Sequence, residues 1–430
     1  MNDSLTIDNA DLTLADVRAA EERIRDAIVP TPTRYSGGLS KITGAEIYLK
    51  FENQQRTAAY KERGALNFLL QMTDEQKRRG VIAASAGNHA QGLSYHGRRL
   101  GVPVTIVMPV ITPTVKVQKT EDLGGRVVLH GAKFDDASVY AVQLAQERGL
   151  TLVPPFDNRH IAAGQGTVAL EMLETVPDLD MIVVPVGGGG LISGVAVAAK
   201  GLNPDIKIIG VQSNRYPALY NFKMGKDVEG GGSTLAEGIA VKNPGELGKW
   251  AITRFVDEMR IVNEAIIETA IACLLDLEKT VVEGAGAAGL ATLLPAQFGG
   301  KLRSEFIGKK IGVILSGGNI DPRFLASVIL GNLARTGKIG RIAIRIQDEV
   351  GALGRIVEIF TANDANIIEI AHQRIFGGAS AKDLATEIEY EVRDKESGER
   401  LVDALLEAGY RFDRVLVTGE RRQARKAKVD

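Results

Sequence analysis

The stretch Met181-Ile-Val-Val-Pro-Val-Gly-Gly-Gly-Gly190-Leu-Ile-Ser-Gly-Val195 holds an apolar run, a four-glycine turn and a helix-like segment that continues to Lys200. A run apolar on both faces that turns sharply into a helix is what a buried parallel strand looks like. Residues 181–199 are uncharged and approach the roughly 20 residues of a membrane helix, but Pro185 and the four glycines make a single helix a poor reading. One glycine is enough for a tight turn. Four allow several backbone N–H groups to converge at a helix start, which favours an anion such as phosphate. The stretch lacks the Gly-Lys-Ser/Thr of a nucleotide-binding loop and the spacing of a dinucleotide fingerprint.

The same pattern recurs on either side. Short apolar runs at 80–84, 104–108, 126–129, 207–211 and 310–315 alternate with helical periodicity at 90–100, 114–123 and 134–148. This alternation indicates an α/β fold with parallel sheet covered on both sides, whose ligands bind at the carboxyl ends of the strands. Three more polar or glycine-rich turns sit at such ends. Tyr60-Lys-Glu-Arg-Gly-Ala65 lies between the strand-like 46–52 and a helix-like segment. Ser85-Ala-Gly-Asn-His-Ala-Gln-Gly92 follows residues 80–84, and Ser316-Gly-Gly-Asn319 follows 311–315.

Alone, a lysine in a turn is usually a solvated charge, a histidine in a first helical turn is usually structural, and a Ser-Gly-Gly turn is only a turn. Together they supply an amine (Lys61), a phosphate cradle (Gly187–Gly190 and the Leu191 amide), an amide (Asn88) and a neutral hydroxyl (Ser316). That set suits the aldehyde, phosphate, phenolic oxygen and ring nitrogen of pyridoxal 5'-phosphate. The backbone of Ser85, Gly87, Asn88 and His89 could hold a substrate carboxylate. The five histidines show no ligand spacing, so no metal site is expected. Glu171, Glu237 and Glu283 are the acids that could otherwise face a cation.

At 430 residues, 45% hydrophobic and 24% charged, with net charge −1, the chain suits a protein of two or three domains and offers no charge imbalance for nucleic acid or membrane. One cysteine and a start without a basic-then-apolar leader fit the cytoplasm. After residue 322 the pattern becomes β-α-β-β-α-β, the split ferredoxin-like unit, and the tail 421–430 is basic.

These motifs, with Thr31-Pro32, Tyr48-Leu-Lys-Phe-Glu-Asn53, Thr234-Leu-Ala-Glu-Gly238 and Glu283-Gly-Ala-Gly286, resemble the fold-type II (tryptophan synthase β-like) pyridoxal-phosphate enzymes, specifically the threonine ammonia-lyase (threonine dehydratase) family, over 15–322. The resemblance implies a lyase with Lys61 as cofactor-bearing amine and general base, Tyr60 beside the cofactor, Asn88 on its phenolic oxygen, Gly187–Leu191 on its phosphate and Ser316 at its ring nitrogen. The family's usual Thr-Gly-Ser-Phe-Lys reads Thr57-Ala-Ala-Tyr-Lys61 here, which bears on substrate preference. Ala86 stands where serine racemase has a proton-carrying serine, which argues against racemisation.

The expected substrate is L-threonine, then L-serine. The alternatives are a 3-hydroxyaspartate dehydratase, for which Arg56 is the nearby cation, and a non-catalytic amino-acid sensor. Residues 338–420 resemble an ACT domain, which implies a small amino-acid effector, plausibly branched-chain, near Gly351, Ala352, Leu353 and Asn366, and pairing into a homo-oligomer. The expected organisation is a catalytic module at 1–325 with a smaller subdomain at about 50–155, a linker at 326–337, the ACT domain, and the tail.

Overall fold

The computed structural model describes residues 11–347, 349–373 and 383–415. It divides into two compact units, residues 1–320 and 321–430.

The first unit opens on a capping box. The Thr13 hydroxyl and the Asp16 carboxylate satisfy each other's backbone amides, starting the helix Leu14–Ile24. A six-stranded sheet follows in the spatial order Thr33–Tyr35, Glu46–Lys50, Lys310–Ile314, Met181–Pro185, Lys207–Ser213, Glu258–Val262. All pairings are parallel except the first, where the three-residue edge strand runs antiparallel to Glu46–Lys50. A second, wholly parallel sheet has the order Arg126–Leu129, Val104–Met108, Val81–Ala84, Thr151–Leu152. Ile182, Val184, Ile208 and Ile314 of the large sheet pack into one core with Val168, Met172, Ile192 and Val195 of two helices. Val81, Ala83, Val104 and Ile106 form the corresponding core of the small sheet.

The apolar stretch 181–199 divides into the strand Met181–Pro185 and the helix Gly190–Leu202. No described helix is long and apolar enough to cross a membrane.

Three helices tie this unit together: Lys61–Leu70, Arg159–Thr175 and Gly190–Leu202. They meet backbone against backbone at glycines. A Cβ on Gly164 would lie 2.7 Å from the Gly64 Cα, and one on Gly194 would lie 2.1 Å from the Ala162 carbonyl oxygen and 2.5 Å from the Gly166 nitrogen.

Behind the first of these helices lies a buried charge cluster. The Arg63 Nε and Nη2 each donate to Glu52 at 2.8 Å, and Nη1 and Nη2 donate to Glu171 at 2.6 and 2.9 Å. Lys50 Nζ donates to Glu171 Oε2 at 2.5 Å. Two cations face two carboxylates, so the cluster is neutral as a whole.

The second unit begins with the helix Pro322–Arg335, where Asp321 caps the Arg323 amide and proline occupies the first turn. The expected linker, 326–337, is therefore mostly helix, and the division falls at 320/321 rather than after 325. A four-stranded antiparallel sheet follows, ordered Asn366–Gln373, Asp383–Glu391, Ile339–Gln347, Phe412–Val415, with the helices Ala352–Ala362 and Lys395–Glu407. In chain order this is β-α-β-β-α-β. Ile342, Ile344 and Ile346 point inward against Ile356, Phe360, Leu401 and Leu405, while Arg341 and Arg345 stay exposed. Of the ACT-like stretch 338–420, residues 348, 374–382 and 416–420 lie outside the described residues, as does the tail 421–430.

Candidate active site

Lys61 starts its helix immediately after a loop whose backbone is bolted to the Ser316 turn. Tyr60 N donates to the Ser316 carbonyl at 3.1 Å and Gly318 N to the Ala58 carbonyl at 2.8 Å, around an Ala59–Gly317 bridge. Ala58 sits in the left-handed region at φ 56°. Alanine there costs about 1–2 kcal/mol over a right-handed conformation. Glu62 folds back beneath the loop and accepts from Thr57 N and Oγ1 at 2.8 and 2.7 Å.

The Lys61 ammonium donates to the Pro155 carbonyl at 3.0 Å. Burial lowers its pKa to about 8 against a weaker opposing pull from Glu283. An amine so placed is partly unprotonated near neutrality, as an amine nucleophile or base requires.

One cavity is lined by Tyr60 and Lys61 together with Phe156 and Gly187–Leu191. The structure thus brings the lysine turn and the tetraglycine turn, far apart in the sequence, to the same space. Its walls leave no room for a side chain on the turn. A Cβ on Gly188 would fall 2.5 Å from the Phe156 ring, and Gly189 has φ 107°. No side chain caps the helix that begins at Gly190, so its first N–H groups remain for an anion. An amine of lowered pKa beside an uncapped glycine turn fits a phosphorylated aldehyde, and these are the groups that would hold pyridoxal phosphate.

Asn88 begins the helix Asn88–Leu100 and donates through Nδ2 to Glu283 Oε1 at 2.7 Å. Its Oδ1 accepts from Asn319 Nδ2 at 2.8 Å. Glu283 is pushed up to about 7, mainly by burial. Ser316 is buried at the end of the strand Lys310–Ile314. Tyr60 keeps its phenol protonated, with its pKa raised by burial and then by Glu283.

In the expected carboxylate nest, the Ser85 hydroxyl accepts from the Gly87 and Ala90 amides, both at 3.3 Å. The His89 ring turns away to the Val153 carbonyl at 3.1 Å, and burial lowers its pKa to about 3, so it stays neutral and structural. Ala86 packs on the small-sheet core.

Of the three acids named for a cation, Glu171 stands on Arg63 and Lys50, whereas Glu237, on Lys116 at 2.6 Å, lies near enough to Glu283, on Asn88, to help raise its pKa. Arg56 donates to the Ala27 carbonyl at 3.3 Å. In the second unit, Gly351 takes φ 85° to start the helix that holds Ala352 and Leu353, and Asn366 opens the following strand.

Sequence reasoning did not single out Asn319 and Lys119 as site residues. Lys119 donates to Asn319 Oδ1. Asn319 could have been suspected from its place in Ser316–Asn319, whereas nothing in its neighbourhood marks Lys119.

Comparison with known proteins agrees with this geometry. The chain is 41% identical to the L-threonine ammonia-lyase of Thermotoga maritima, across 93% of this chain and 98% of that protein. It is also 41% identical to that of Geobacter sulfurreducens, across 92% and 98%. Threonine deaminase isoform 2 of Solanum lycopersicum superposes with a TM-score of 0.68 at 35% identity, covering 73% of this chain and 86% of that one. Maize serine racemase does so with a TM-score of 0.70 at 32% identity, covering 76% and 99%. The family model described as "Pyridoxal-phosphate dependent enzyme" matches residues 24–317, and with Lys61 and the tetraglycine turn lining one cavity, this chain belongs to the pyridoxal-phosphate-dependent enzymes.

Proposed function

We infer that the protein is an L-threonine ammonia-lyase, converting L-threonine to 2-oxobutanoate and ammonia and acting more slowly on L-serine. The carrying observation is the cavity shared by Lys61 and Gly187–Leu191, in a chain 41% identical over most of its length to relatives bearing that name.

Pyridoxal phosphate, when bound, supplies the electron sink that makes the Cα proton of an amino acid acidic. Gly187–Gly190 and the Leu191 amide would hold the phosphate, Asn88 would donate toward the phenolic oxygen, and Ser316 would offer the ring nitrogen a neutral partner. Lys61, lowered to about 8, would take the Cα proton of the bound substrate as general base. The β-hydroxyl would leave with a proton as water, and the released enamine, as its imine tautomer, would take up one water to give 2-oxobutanoate and ammonia. Ala86 offers no proton on the other side of Cα, which favours elimination over racemisation. Arg56, the cation a second substrate carboxylate would need, is engaged by the Ala27 carbonyl, which favours threonine over 3-hydroxyaspartate.

The second unit acts in this reading as an ACT domain that pairs with a second copy and takes a small amino acid at the Gly351 turn. Its β-α-β-β-α-β order and the left-handed Gly351 support that assignment. The deciding assay is 2-oxobutanoate release from threonine, with serine and both 3-hydroxyaspartate diastereomers alongside and each branched-chain amino acid as additive. Threonine as the poorest of these substrates would overturn the assignment.

A further inference from the structure

We propose that Asn319, keyed by Lys119, fixes which end of the Asn88 amide faces the cofactor. The proposal rests on the reading above in which Asn88 meets the phenolic oxygen.

A carboxamide has two orientations of nearly the same shape and opposite hydrogen-bonding sense. Here the sense is dictated from outside the site. Lys119, on the helix Thr114–Asp122 flanking the small sheet, carries only donors, and it donates to Asn319 Oδ1. Asn319 lies in the turn after the large-sheet strand Lys310–Ile314. With its oxygen so engaged, its Nδ2 faces the other way and donates to the Thr57 carbonyl and to Asn88 Oδ1, both at 2.8 Å. Asn88 must then point Nδ2 into the site, where one hydrogen reaches Glu283 at 2.7 Å and the second is free to serve the phenolic oxygen.

Every bond from the ammonium to the carboxyl runs in one direction. Turning Asn88 alone would set its Nδ2 against the Asn319 Nδ2. Glu283 is a poor substitute for Lys119 as the reference end, because a carboxyl near neutral in its titration can accept or donate. An ammonium and a backbone carbonyl cannot change sense. Lys119 and Asn319 are therefore positioning residues that act through Asn88, and Lys119 does so across the boundary between the two sheets.

The test compares Asn319→Asp with Asn319→Ala, measuring the dissociation constant of pyridoxal phosphate from the apoprotein and the absorption maximum of the bound cofactor. Asn319→Asp keeps the shape but offers only acceptors. It draws the Asn88 Nδ2 toward itself and turns Oδ1 on the phenolic oxygen. We expect it to bind the cofactor at least about tenfold more weakly than Asn319→Ala and to shift the absorption maximum further, the reverse of what loss of packing alone would give. Lys119→Met should weaken binding and shift the band in the same sense, and Lys119→Arg, also donor-only, should restore both. Lys119→Met carries the test if Asn319→Asp does not fold.

Asn319→Asp binding as well as Asn319→Ala, or Lys119→Met leaving both readouts at wild-type values, overturns the keying. Asn88→Ala serves as the reference. If it changes neither readout, the assignment of Asn88 to the phenolic oxygen falls and the keying with it. If it changes both while the other variants do not, only the keying falls.

Discussion

Glu62 closes the loop that presents its neighbour Lys61 by accepting from both the amide and the hydroxyl of Thr57, at 2.8 and 2.7 Å. The span between them contains Ala58 at φ 56°, so the lysine turn combines backbone strain with a side-chain clasp. Ala58→Gly should relieve the strain and stabilise the first unit by about 0.5–1 kcal/mol, after allowing for the greater freedom of glycine in the unfolded chain. A urea titration followed by the fluorescence of Trp250, which lies in that unit, measures it. A lowered midpoint would mean that Ala58 is not strained.

The buried charges behind the Lys61 helix predict a steep asymmetry. Arg63→Ala leaves Glu52 fully buried without its bidentate partner, and losses of this kind run to about 3–5 kcal/mol. Arg63→Lys keeps the charge but cannot serve both carboxylates through a planar fork, so it should recover only part of the loss. Thermal unfolding of the two variants beside wild type checks the order.

Lys61 governs a pH dependence of cofactor capture. Its folded pKa of about 8 lies below the ordinary 10.5. The corresponding stability is fully present above 10.5 and is lost as pH falls through 8, because the buried amine must then carry charge. Capture of the aldehyde needs the uncharged amine. The rate of cofactor uptake by the apoprotein should therefore rise with pH and level off above about 8, as followed by growth of the visible band. A flat profile between pH 6.5 and 9 would contradict the burial of this amine.

Glu283 has the opposite sign. Its carboxyl is raised from 4.5 to about 7 by burial. Its contribution to stability is fully present below 4.5 and is lost as pH rises through 7. Glu283→Gln should flatten the apoprotein's stability profile between pH 4.5 and 7, readable as thermal midpoints at half-unit intervals.

Gly188→Ala tests the cradle. The added methyl would lie 2.5 Å from the Phe156 ring, itself a wall of the space lined by the lysine and the tetraglycine turn, so the ring or the turn must shift. Cofactor affinity should fall by on the order of a hundredfold or more. Equilibrium dialysis of the variant against pyridoxal phosphate gives the ratio directly.

Much of the large and small sheets was legible because their strands are short, apolar on both faces and punctuated by glycine. The edge strand Thr33–Tyr35 was not, since three residues carry no periodicity and its pairing depends on the neighbouring Glu46–Lys50. The helix Arg159–Thr175 gave little signal for a different reason. It is buried nearly all round, so it has no polar stripe to contrast with an apolar one. Lys61, Asn88, Gly187–Gly190 and Ser316 stand out in the sequence as candidates because they lie at strand ends among small residues, and the fold brings Lys61 and Gly187–Gly190 to one cavity. Lys119 and Asn319 stand 200 positions apart, and only the folded chain makes them neighbours. Arg56, the cation named for the 3-hydroxyaspartate alternative, lies four residues from Tyr60 in sequence, and its place beside the Ala27 carbonyl shows only in the folded chain.

The glycine contacts among the helices Lys61–Leu70, Arg159–Thr175 and Gly190–Leu202 make a gauge. One end of it carries the amine, the other carries the tetraglycine turn, and the middle helix is the spacer, seated on Gly64 through Gly164 and on Gly194 through Gly166. The span offered to a small rigid ligand is then set by the thickness of bare peptide backbone, counted twice. One methyl group at either seat would lengthen the gauge, and a ligand anchored at both ends would register that change as a misfit.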